Sequence, residues 1–250
     1  MPIALITGAS AGFGTAIAKR LLARNARVIA CARRVDRLKV LAAEYPDQVL
    51  PVELDITDHD AVRRALAALP PSFAEVDLLV NNAGLALGMS PAQKAETDEW
   101  DRMIATNCSG LVHVTRQVLP GMVARGRGTV INLGSIAGEF PYPGGNVYGA
   151  TKAFVHQFTQ NLNADLIGTG VRASCIEPGL CGATEFSTVR FAGDVERANA
   201  VYKGMTPLTP EDIAEVVAWI AALPEHVTIN VVSMMPNCQS FAGLAVSRKT

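Results

Sequence analysis

The stretch Ile3-Ala-Leu-Ile-Thr-Gly-Ala-Ser-Ala-Gly-Phe-Gly14 stands near the start of the chain, and a helical pattern follows it over residues 15–25. Its first four residues form an apolar run that is typical of a short strand buried on both faces. The run ends in a turn that contains Gly8, Gly12 and Gly14. A helix N-terminus presents unpaired N–H groups, and glycines let a phosphate approach the backbone. The stretch therefore predicts a strand, a phosphate-binding turn and a helix, with a plain glycine turn as the alternative.

The alternation of strand and helix continues along the whole chain. Short apolar runs that predict strands are separated by longer helical patterns, and no shift in composition marks a domain boundary. Strands that alternate with helices in this way form a doubly wound parallel sheet with helices on both faces. We therefore expect residues 1–250 to form a single α/β domain. The predicted strands cover residues 3–6, 28–32, 49–54, 76–80, 130–133, 171–176 and 228–232.

The composition argues against several classes of partner. Hydrophobic residues make up 49% of the 250 residues and charged residues 18%, and the formal net charge is −1. A nearly neutral chain has no electrostatic attraction to nucleic acid or to an anionic membrane. No apolar run approaches the ~20 residues of a membrane span, and we see no signal peptide. The five cysteines include no C-x-x-C pair and the four histidines share no metal spacing. We therefore expect a cytoplasmic protein with free thiols and no metal site.

The second predicted strand ends in Ala32 and is followed by Arg33 and Arg34. Sites that prefer NAD carry an acidic residue near this position, about 20 residues beyond the glycines, where it binds the ribose hydroxyls. Here the position is neutral and two guanidinium groups follow, which can bind a 2′-phosphate through charge-assisted hydrogen bonds. The sequence therefore favours NADP over NAD, with a solvated arginine pair at a strand end as the alternative.

Polar residues also follow two other predicted strands. Asp55 comes directly after the third strand, where its carboxylate can accept a hydrogen bond from an adenine amino group. The run Asn81-Asn82-Ala83-Gly84 follows the fourth strand. Side-chain amides and a glycine at the carboxyl end of a strand suit the ligand crevice of an open parallel sheet. The alternative is an asparagine-rich turn that only ends the strand.

Four residues further along the chain indicate acid–base chemistry. Tyr148 and Lys152 are four positions apart, so they share one face of a predicted helix. A phenol has an unperturbed pKa of about 10, and an ammonium within roughly 4–6 Å lowers the pKa of an acid by about 1–3 units. Ser135 follows the fifth strand, where its hydroxyl can hold a substrate oxygen. Asn107, flanked by apolar residues in the long helical stretch 98–125, is expected to be buried. An ordinary helix that carries Tyr and Lys by chance is the alternative.

Two segments near the end of the chain lack a regular pattern. Residues 180–209 are rich in Gly, Thr and Ser and contain Arg190, Arg197 and Lys203. A segment of this length in a compact domain is more often functional than idle, so we expect it to form a lid over the substrate. Residues 233–250 form an apolar tail that we expect to pack against a neighbouring subunit.

Taken together, these motifs resemble the short-chain dehydrogenase/reductase family over the entire chain. Four signatures occur in the right order: Thr7-Gly8-x-x-x-Gly12-x-Gly14, Asn81-Asn82-Ala83-Gly84, Ser135 with Tyr148-x-x-x-Lys152, and Pro178-Gly179. The resemblance implies a Rossmann fold, a nicotinamide cofactor and an enzyme that acts on a CH–OH group. Their joint occurrence favours a functional pair over the alternative in which Tyr148 and Lys152 share a helix by chance.

The resemblance also implies a role for each matching residue. Tyr148 is expected to exchange a proton with the substrate hydroxyl, and Ser135 to donate to the carbonyl oxygen. Lys152 is expected to lower the pKa of Tyr148 and to hold the nicotinamide ribose, and Asn107 to hold a water that links Lys152 to solvent. The residues expected to contact NADP(H) are Gly8, Ser10, Gly12, Phe13, Gly14, Arg33, Arg34, Asp55, Ile56, Asn82, Ala83, Gly84, Tyr148, Lys152, Pro178, Gly179 and Thr184.

Within this family, five stretches are similar to the NADP-dependent 3-hydroxy acid dehydrogenases and to reductases of malonic semialdehyde and sulfoacetaldehyde. This similarity implies a short 3-hydroxy acid, such as serine or allo-threonine, or the corresponding carbonyl compound, held by Ser135, Tyr148 and Arg190. It also implies a homotetramer. A reductase of an uncharged ketone, quinone or aldehyde and a non-catalytic nucleotide-sensing protein remain as alternatives. The stretches are residues 10–14, 84–88, 141–148, 184–187 and 209–212.

Overall fold

A computed structural model describes residues 1–241 of the chain, and a parallel sheet forms its centre. Within these residues the sheet has seven strands in the order β3-β2-β1-β4-β5-β6-β7. The prediction of a single-domain, doubly wound parallel sheet is therefore confirmed. The strands are β1 (Ile3–Thr7), β2 (Arg27–Ala32), β3 (Val49–Glu53), β4 (Leu78–Asn81), β5 (Gly128–Leu133), β6 (Val171–Pro178) and β7 (Val231–Met234).

Helices cover both faces of the sheet. On one face, Ile17, Leu38 and Ile213 belong to a cluster of buried side chains. On the other face, Val62 and Leu162 belong to a second cluster. The helices are α1 (Gly12–Leu22), α2 (Val35–Glu44), α3 (His59–Ala67), α4 (Thr97–Ile104), α5 (Leu111–Arg125), α6 (Asn146–Asp165), α7 (Phe186–Arg190), α8 (Val195–Ala200) and α9 (Pro210–Ala221), with a π-helical segment at Ala105–Gly110 between α4 and α5.

Strand β1 lies where the winding of the sheet reverses. It pairs with β2 on one side and with β4 on the other, and the chain then builds outward in opposite directions from these two strands. At such a reversal the connections leave the sheet on opposite faces and open a crevice at the carboxyl ends of the strands. The glycine turn after β1 and the Asn-Asn-Ala-Gly run after β4 both lie at this crevice.

Two predicted strands have different ends in the structure. Strand β4 begins at Leu78 and not at Val76, because the chain still turns at Val76, whose N–H bonds the carbonyl of Ala74. Strand β7 covers Val231–Met234 and not residues 228–232, because its pairing with Cys175–Pro178 of β6 determines where it runs.

The two irregular segments contain more structure than their sequence patterns indicate. The expected lid, residues 180–209, includes the short helices α7 and α8, and a parallel bridge between Cys181 and Leu208 joins its ends. The expected tail, residues 233–250, begins inside β7. Its described part contacts its own chain, where Gln239 accepts a bond from the N–H of Leu180 and the ring of Phe241 lies 4.2 Å from that of Phe140. Residues 242–250 of the tail lie outside the described residues.

Two general predictions concern the thiols and the membrane. All five cysteines, which lie within the described part of the chain, are free, and three of them are buried. Among residues 1–241, no helix combines the length and the apolar character that crossing a bilayer requires.

Candidate active site

The glycine turn after β1 has the conformation and the contacts that require glycine. Gly8 and Gly12 have φ values of +68° and +52°, in the left-handed region that L side chains rarely adopt. Gly14 lies so close to the turn that an added Cβ would collide with the Gly8 carbonyl and lie 2.8 Å from the Cα of Ala9. Helix α1 begins at Gly12 without a side-chain cap, so its first N–H groups are available to an anion.

Thr7 and Asn82 hold the turn against the end of β4. The Thr7 hydroxyl accepts hydrogen bonds from the N–H groups of Asn82 and Ala83, at 3.1 and 3.0 Å. In return, the Asn82 amide donates to the carbonyls of Thr7 and Gly8, at 2.8 and 3.2 Å. These reciprocal bonds fix the glycine turn and the Asn-Asn-Ala-Gly run in one arrangement. The sequence predicted Asn82 and Ala83 at this edge, but it gave no sign of the part played by Thr7.

The arginines after β2 lie at the same edge of the sheet. Arg34 donates from Nε to the Ser10 hydroxyl at 3.4 Å, so it contacts the glycine turn directly. Arg33 is largely exposed and lies 4.0 Å from the Asp55 carboxylate. Asp55 accepts bonds from the N–H and hydroxyl of Thr57, and these bonds together with Arg33 hold its pKa below the ordinary value. The structure therefore brings Ser10, the arginines and Asp55 together along one rim.

Four more of the residues that were predicted to contact the cofactor have defined neighbours in the structure. Phe13, in α1, packs against the buried cluster on one face of the sheet, and Ile56 is buried against Gly110. Gly179 donates from its N–H to the Met234 carbonyl, which fixes the turn after β6. Thr184 lies against the glycine turn: a Cβ built on Gly12 would be 3.5 Å from the Cβ of Thr184.

Ser135 and Tyr148 meet at the carboxyl end of β5. Ser135 begins a short turn in which its hydroxyl accepts from the N–H of Ala137 at 3.1 Å. The same hydroxyl donates to the Pro178 carbonyl at 3.5 Å and lies close enough to lower the pKa of the Tyr148 phenol, which stands in the first turn of α6 and is 7% exposed. A substrate oxygen placed between these two hydroxyls would reach both of them.

Lys152 and Asn107 lie behind Tyr148. The Lys152 ammonium donates to the Leu133 carbonyl at 2.7 Å. A Cβ added to Gly84 would lie 3.5 Å from this ammonium and 3.3 Å from the Asn107 amide oxygen, so glycine leaves the space between them open. Asn107 is 1% exposed, and it exchanges two bonds of 2.9 Å with the backbone of Leu85.

The π-helical segment places Asn107 in this position. A π turn adds one residue to the helical ladder and changes which face the side chains occupy. The Asn107 amide also donates to the Thr151 hydroxyl on α6 at 3.0 Å, so it links the segment, the end of β4 and the helix that carries Tyr148 and Lys152. The sequence predicted that Asn107 is buried, and this prediction is confirmed.

Burial controls the pKa values of the central pair. Burial raises the pKa of the Tyr148 phenol, although the hydrogen bond from Ser135 and the charge of Arg190 act against it. Burial also lowers the pKa of Lys152 to about 8. Lys152 is not among the groups that lower the pKa of Tyr148 in this arrangement, so the expectation that it does so stays a prediction. The ammonium lies 5.9 Å from the centre of the Tyr148 ring and is engaged with the backbone of β5.

Arg190 is the cation of the expected lid that reaches Tyr148. Its guanidinium lies 5.6 Å from the Tyr148 ring centre and donates to the Tyr142 hydroxyl at 2.8 Å. Its Nε donates to the Gly88 carbonyl, and the Gly88 N–H donates back to the Arg190 carbonyl. The other two candidates are exposed: Arg197 lies over the Phe191 ring, and Lys203 is on the surface.

A polar network supports this site from below. The buried Asn81 amide donates to the Thr115 hydroxyl and to the Asn132 oxygen, both at 2.8 Å, and the Asn132 amide donates to the Thr159 hydroxyl at 2.9 Å. This network links β4 and β5 to the helices that pack on them. Sequence reasoning assigned no function to these residues, since only the register that places Asn81 opposite Asn132 reveals their contact.

The donors at the crevice fit a dinucleotide that carries an additional phosphate. The uncapped start of α1 suits a pyrophosphate, and two arginines stand at the end of β2, where an acidic residue would repel a 2′-phosphate. A cleft of about 620 Å³ opens beside the start of α1, and Gly12, Arg37, Thr184 and Glu185 are among the residues that line it.

Comparisons with known proteins agree with this geometry. A family model described as short chain dehydrogenase matches residues 2–194. The chain is 56% identical to an NADP-dependent 3-hydroxy acid dehydrogenase of Salmonella typhi, over 98% of this chain and 99% of that protein. It is 48% identical to a serine 3-dehydrogenase of Agrobacterium fabrum, over 98% of both proteins. A solved structure of the closed form of serine dehydrogenase complexed with NADP+ matches with a TM-score of 0.98 and 54% identity, over 99% of this chain and 100% of that one.

Proposed function

Because the chain belongs to the short-chain dehydrogenase family, we propose that it transfers a hydride between NADP(H) and a short 3-hydroxy acid or the corresponding carbonyl compound. The enzyme class and the family, both predicted from four sequence signatures, are confirmed by these relatives. The observation that carries the substrate class is the position of Arg190, whose guanidinium lies beside both the Tyr148 ring and the Tyr142 hydroxyl.

NADP(H) is the cofactor that the crevice supports best, and relatives named as NADP-dependent agree with it. The start of α1 and the glycine turn would hold the pyrophosphate, while Ser10, Arg33 and Arg34 would hold the 2′-phosphate. Bound in this crevice, NADP(H) supplies the hydride acceptor or donor.

In the proposed mechanism, Tyr148 exchanges a proton with the substrate oxygen. Ser135 donates a hydrogen bond to the same oxygen, so that negative charge on it is stabilised as the C–H bond breaks or forms. Lys152 provides the positive charge behind Tyr148, and the amide of Asn107 fixes the strand end that surrounds the ammonium. Because burial raises the pKa of the phenol, the mechanism relies on the neighbours that lower it, the Ser135 hydroxyl and the charge of Arg190.

Arg190 is proposed to bind the carboxylate or sulfonate of the substrate. A guanidinium forms bidentate hydrogen bonds with a planar carboxylate, and these are stronger than neutral hydrogen bonds. The arginine is held from two sides, by Gly88 and by Tyr142. The position of its charge beside Tyr148 therefore favours a substrate whose anion is only a few bonds from the reacting carbon.

A substrate panel tests the proposed function. Turnover would be measured with serine, allo-threonine, 3-hydroxyisobutyrate, malonic semialdehyde, sulfoacetaldehyde and neutral ketones, each with NADP(H) and NAD(H). We expect turnover of the anionic compounds with NADP(H). In Arg190→Gln, we expect KM for these compounds to rise by roughly ten- to a hundredfold, since a charge-assisted bond contributes about 1.5–3 kcal/mol. Arg197→Gln is the matched control on the same segment. Preference for neutral ketones, or an unchanged KM in Arg190→Gln, would refute the substrate class.

Tyr148→Phe tests the mechanism. The variant keeps the ring and loses the hydroxyl that carries the proton, so turnover should fall by at least about a hundredfold, the lower end of a general acid–base contribution. Binding of NADPH, measured by its fluorescence, should change little, because the ring still fills the same space. Turnover within a few-fold of the wild type would show that another group carries the proton.

A further inference from the structure

Glu185 joins the segment that carries Arg190 to the arginines at the end of β2. Its carboxylate receives two ion pairs of 2.8 Å, from Arg34 to one oxygen and from Arg37 to the other. Both arginines act to lower the pKa of Glu185, and that pKa lies below its ordinary value. Arg37, in the first part of α2, was not among the residues that the sequence indicated for the site.

Because of the position of Glu185 in the chain, these ion pairs hold one end of α7. Glu185 immediately precedes α7, and Arg190 is the last residue of the same helix. Five helical residues span only about 7.5 Å. One end of α7 is therefore fastened to the arginines beside the glycine turn, while the other end holds its guanidinium beside Tyr148. Between them, the Phe186 ring lies 5.9 Å from the Tyr148 ring.

The contacts on the opposite side of Arg34 complete a continuous bridge over the crevice. Arg34 bonds the Ser10 hydroxyl in the glycine turn through Nε and Glu185 through an Nη atom. A guanidinium has five N–H donors, so these two contacts leave donors for a phosphate. The remaining donors of Arg34, together with Arg33, can therefore hold the 2′-phosphate while Arg34 and Arg37 pair with the Glu185 carboxylate.

We propose that Glu185 is a positioning residue that fastens α7 across the cofactor crevice, slows the release of NADP(H) and keeps Arg190 at the substrate. This inference rests on the proposed function, because it takes NADP(H) as the occupant of the crevice. The alternative effect of a carboxylate at this point is competition with the 2′-phosphate for Arg34. The two effects change NADPH binding in opposite directions.

The test is a double-mutant cycle on the full chain with Glu185→Gln, Arg37→Gln and the double variant. Stopped-flow displacement of bound NADPH, followed by its fluorescence, gives the release rate. Partly exposed ion pairs are individually weak, so we expect release to accelerate about two- to fivefold in each single variant. Because Arg37 acts only through Glu185, the double variant should release NADPH no faster than Glu185→Gln. Glu211→Gln is the matched control, since it removes a carboxylate from the same cleft.

The proposed positioning role of Glu185 also predicts an effect at the Arg190 end of α7. With saturating NADP+, KM for the anionic substrate should rise about two- to fivefold in Glu185→Gln. Thermal unfolding should stay unchanged, which separates positioning from a general loss of stability.

Each other outcome overturns the proposal. Slower NADPH release in Glu185→Gln would show competition with the phosphate instead. If Glu185→Gln and the wild type release NADPH at the same rate, and the wild type turns over substrate, the positioning role of Glu185 is refuted and the proposed function stands. A wild type that does not bind NADPH would overturn both.

Discussion

Lys152 is a buried cation whose presence costs stability. It is 8% exposed, its ammonium bonds the Leu133 carbonyl, and burial lowers its pKa from 10.5 to about 8. Each unit of pKa shift corresponds to 1.36 kcal/mol, so at neutral pH the native state holds this proton at a cost of roughly 3 kcal/mol. Such a cost is consistent with the proposed role of Lys152 behind Tyr148.

The sign of the pH dependence follows from this lowered pKa. Below about pH 8 the lysine is charged in both the native and the unfolded state, and the full cost is present. Between about pH 8 and 10.5 only the unfolded state holds the proton, so stability increases as the pH rises. The contribution of Lys152 is therefore destabilising at neutral pH and disappears in alkaline solution.

Lys152→Met tests this dependence through urea unfolding at about pH 7 and about pH 9.5. At the lower pH the variant should be more stable than the wild type. The gain in the free energy of unfolding is the roughly 3 kcal/mol cost of the buried charge, reduced by about 1 kcal/mol for the lost hydrogen bond. At the higher pH the difference should shrink by roughly 2 kcal/mol, from the 1.5 units of pH above the native pKa. The exposed Lys203→Met is the control, and it should show no such change. Parallel curves for Lys152→Met and the wild type would contradict the lowered pKa.

The identities of the central residues could be predicted from sequence, but their electrostatics could not. The spacing of Tyr148 and Lys152, and the apolar neighbours of Asn107, are local features. The pKa of Tyr148 depends on burial and on groups such as Ser135 and Arg190, which come together only in the folded chain. For the same reason the ion pairs of Glu185 with Arg34 and Arg37 have no local signal, since they join positions almost 150 residues apart.

The glycines of the first turn require glycine for two different physical reasons. Gly8 has a positive φ, whereas Gly14 has helical geometry and no space for a side chain. Gly126, which follows the last residue of α5, offers a contrast: its φ is +67°, and a Cβ added there would meet nothing within 4 Å. Gly126 thus isolates the cost of backbone conformation, and Gly14 isolates the cost of steric overlap.

Gly14→Ala and Gly126→Ala form a matched pair for urea unfolding. Gly126→Ala should cost about 1 kcal/mol, the penalty of a left-handed conformation for an L residue. Gly14→Ala should cost about 3 kcal/mol or more, because the added methyl group would meet backbone atoms that cannot move independently. Equal costs would mean that the turn can open at Gly14, and that the close approach of α1 to β1 is not essential to the fold.

Sequence patterns predicted the existence of elements better than their ends. Helix α9 begins at Pro210, where Thr209 and Asp212 form a capping box whose residue types and spacing are visible in the sequence. Strand β7 has no such signal, and its ends follow its register against β6. The helices α7 and α8 were missed because each has six residues or fewer, too short to show a hydrophobic period.

At the scale of the whole molecule, the oligomeric state stays a prediction. The described surface of the helices around the π segment carries several exposed apolar side chains, among them Ile104, Val123 and Phe154. The tail beyond Phe241 contributes Leu244 and Val246 to the sequence. Such surfaces commonly lie at contacts between subunits.

Sedimentation of the full chain and of a chain truncated after Phe241 tests this prediction. We expect the full chain to sediment as a homotetramer, and the truncated chain to shift towards smaller species as the tail contacts are lost. A full chain that sediments at 26.4 kDa would rule out the tetramer. A truncated chain that remains tetrameric would place the contacts on the helices and not on the tail.

The central place of β1 in the sheet has a consequence for how the chain folds. Among the strands of this sheet, β1 is synthesised before the others, and β2 follows it closely. Its other neighbour β4 is far along the chain: the Ile3 N–H bonds the Asp77 carboxylate across 74 positions. At 5–20 residues per second, the ribosome needs about 4–15 s to add that length. During this time one edge of the future core strand has no partner. Pairing over such separations is slow even in the finished chain, so the nascent protein depends on the early β1–β2 pair staying apart from other chains until β4 arrives.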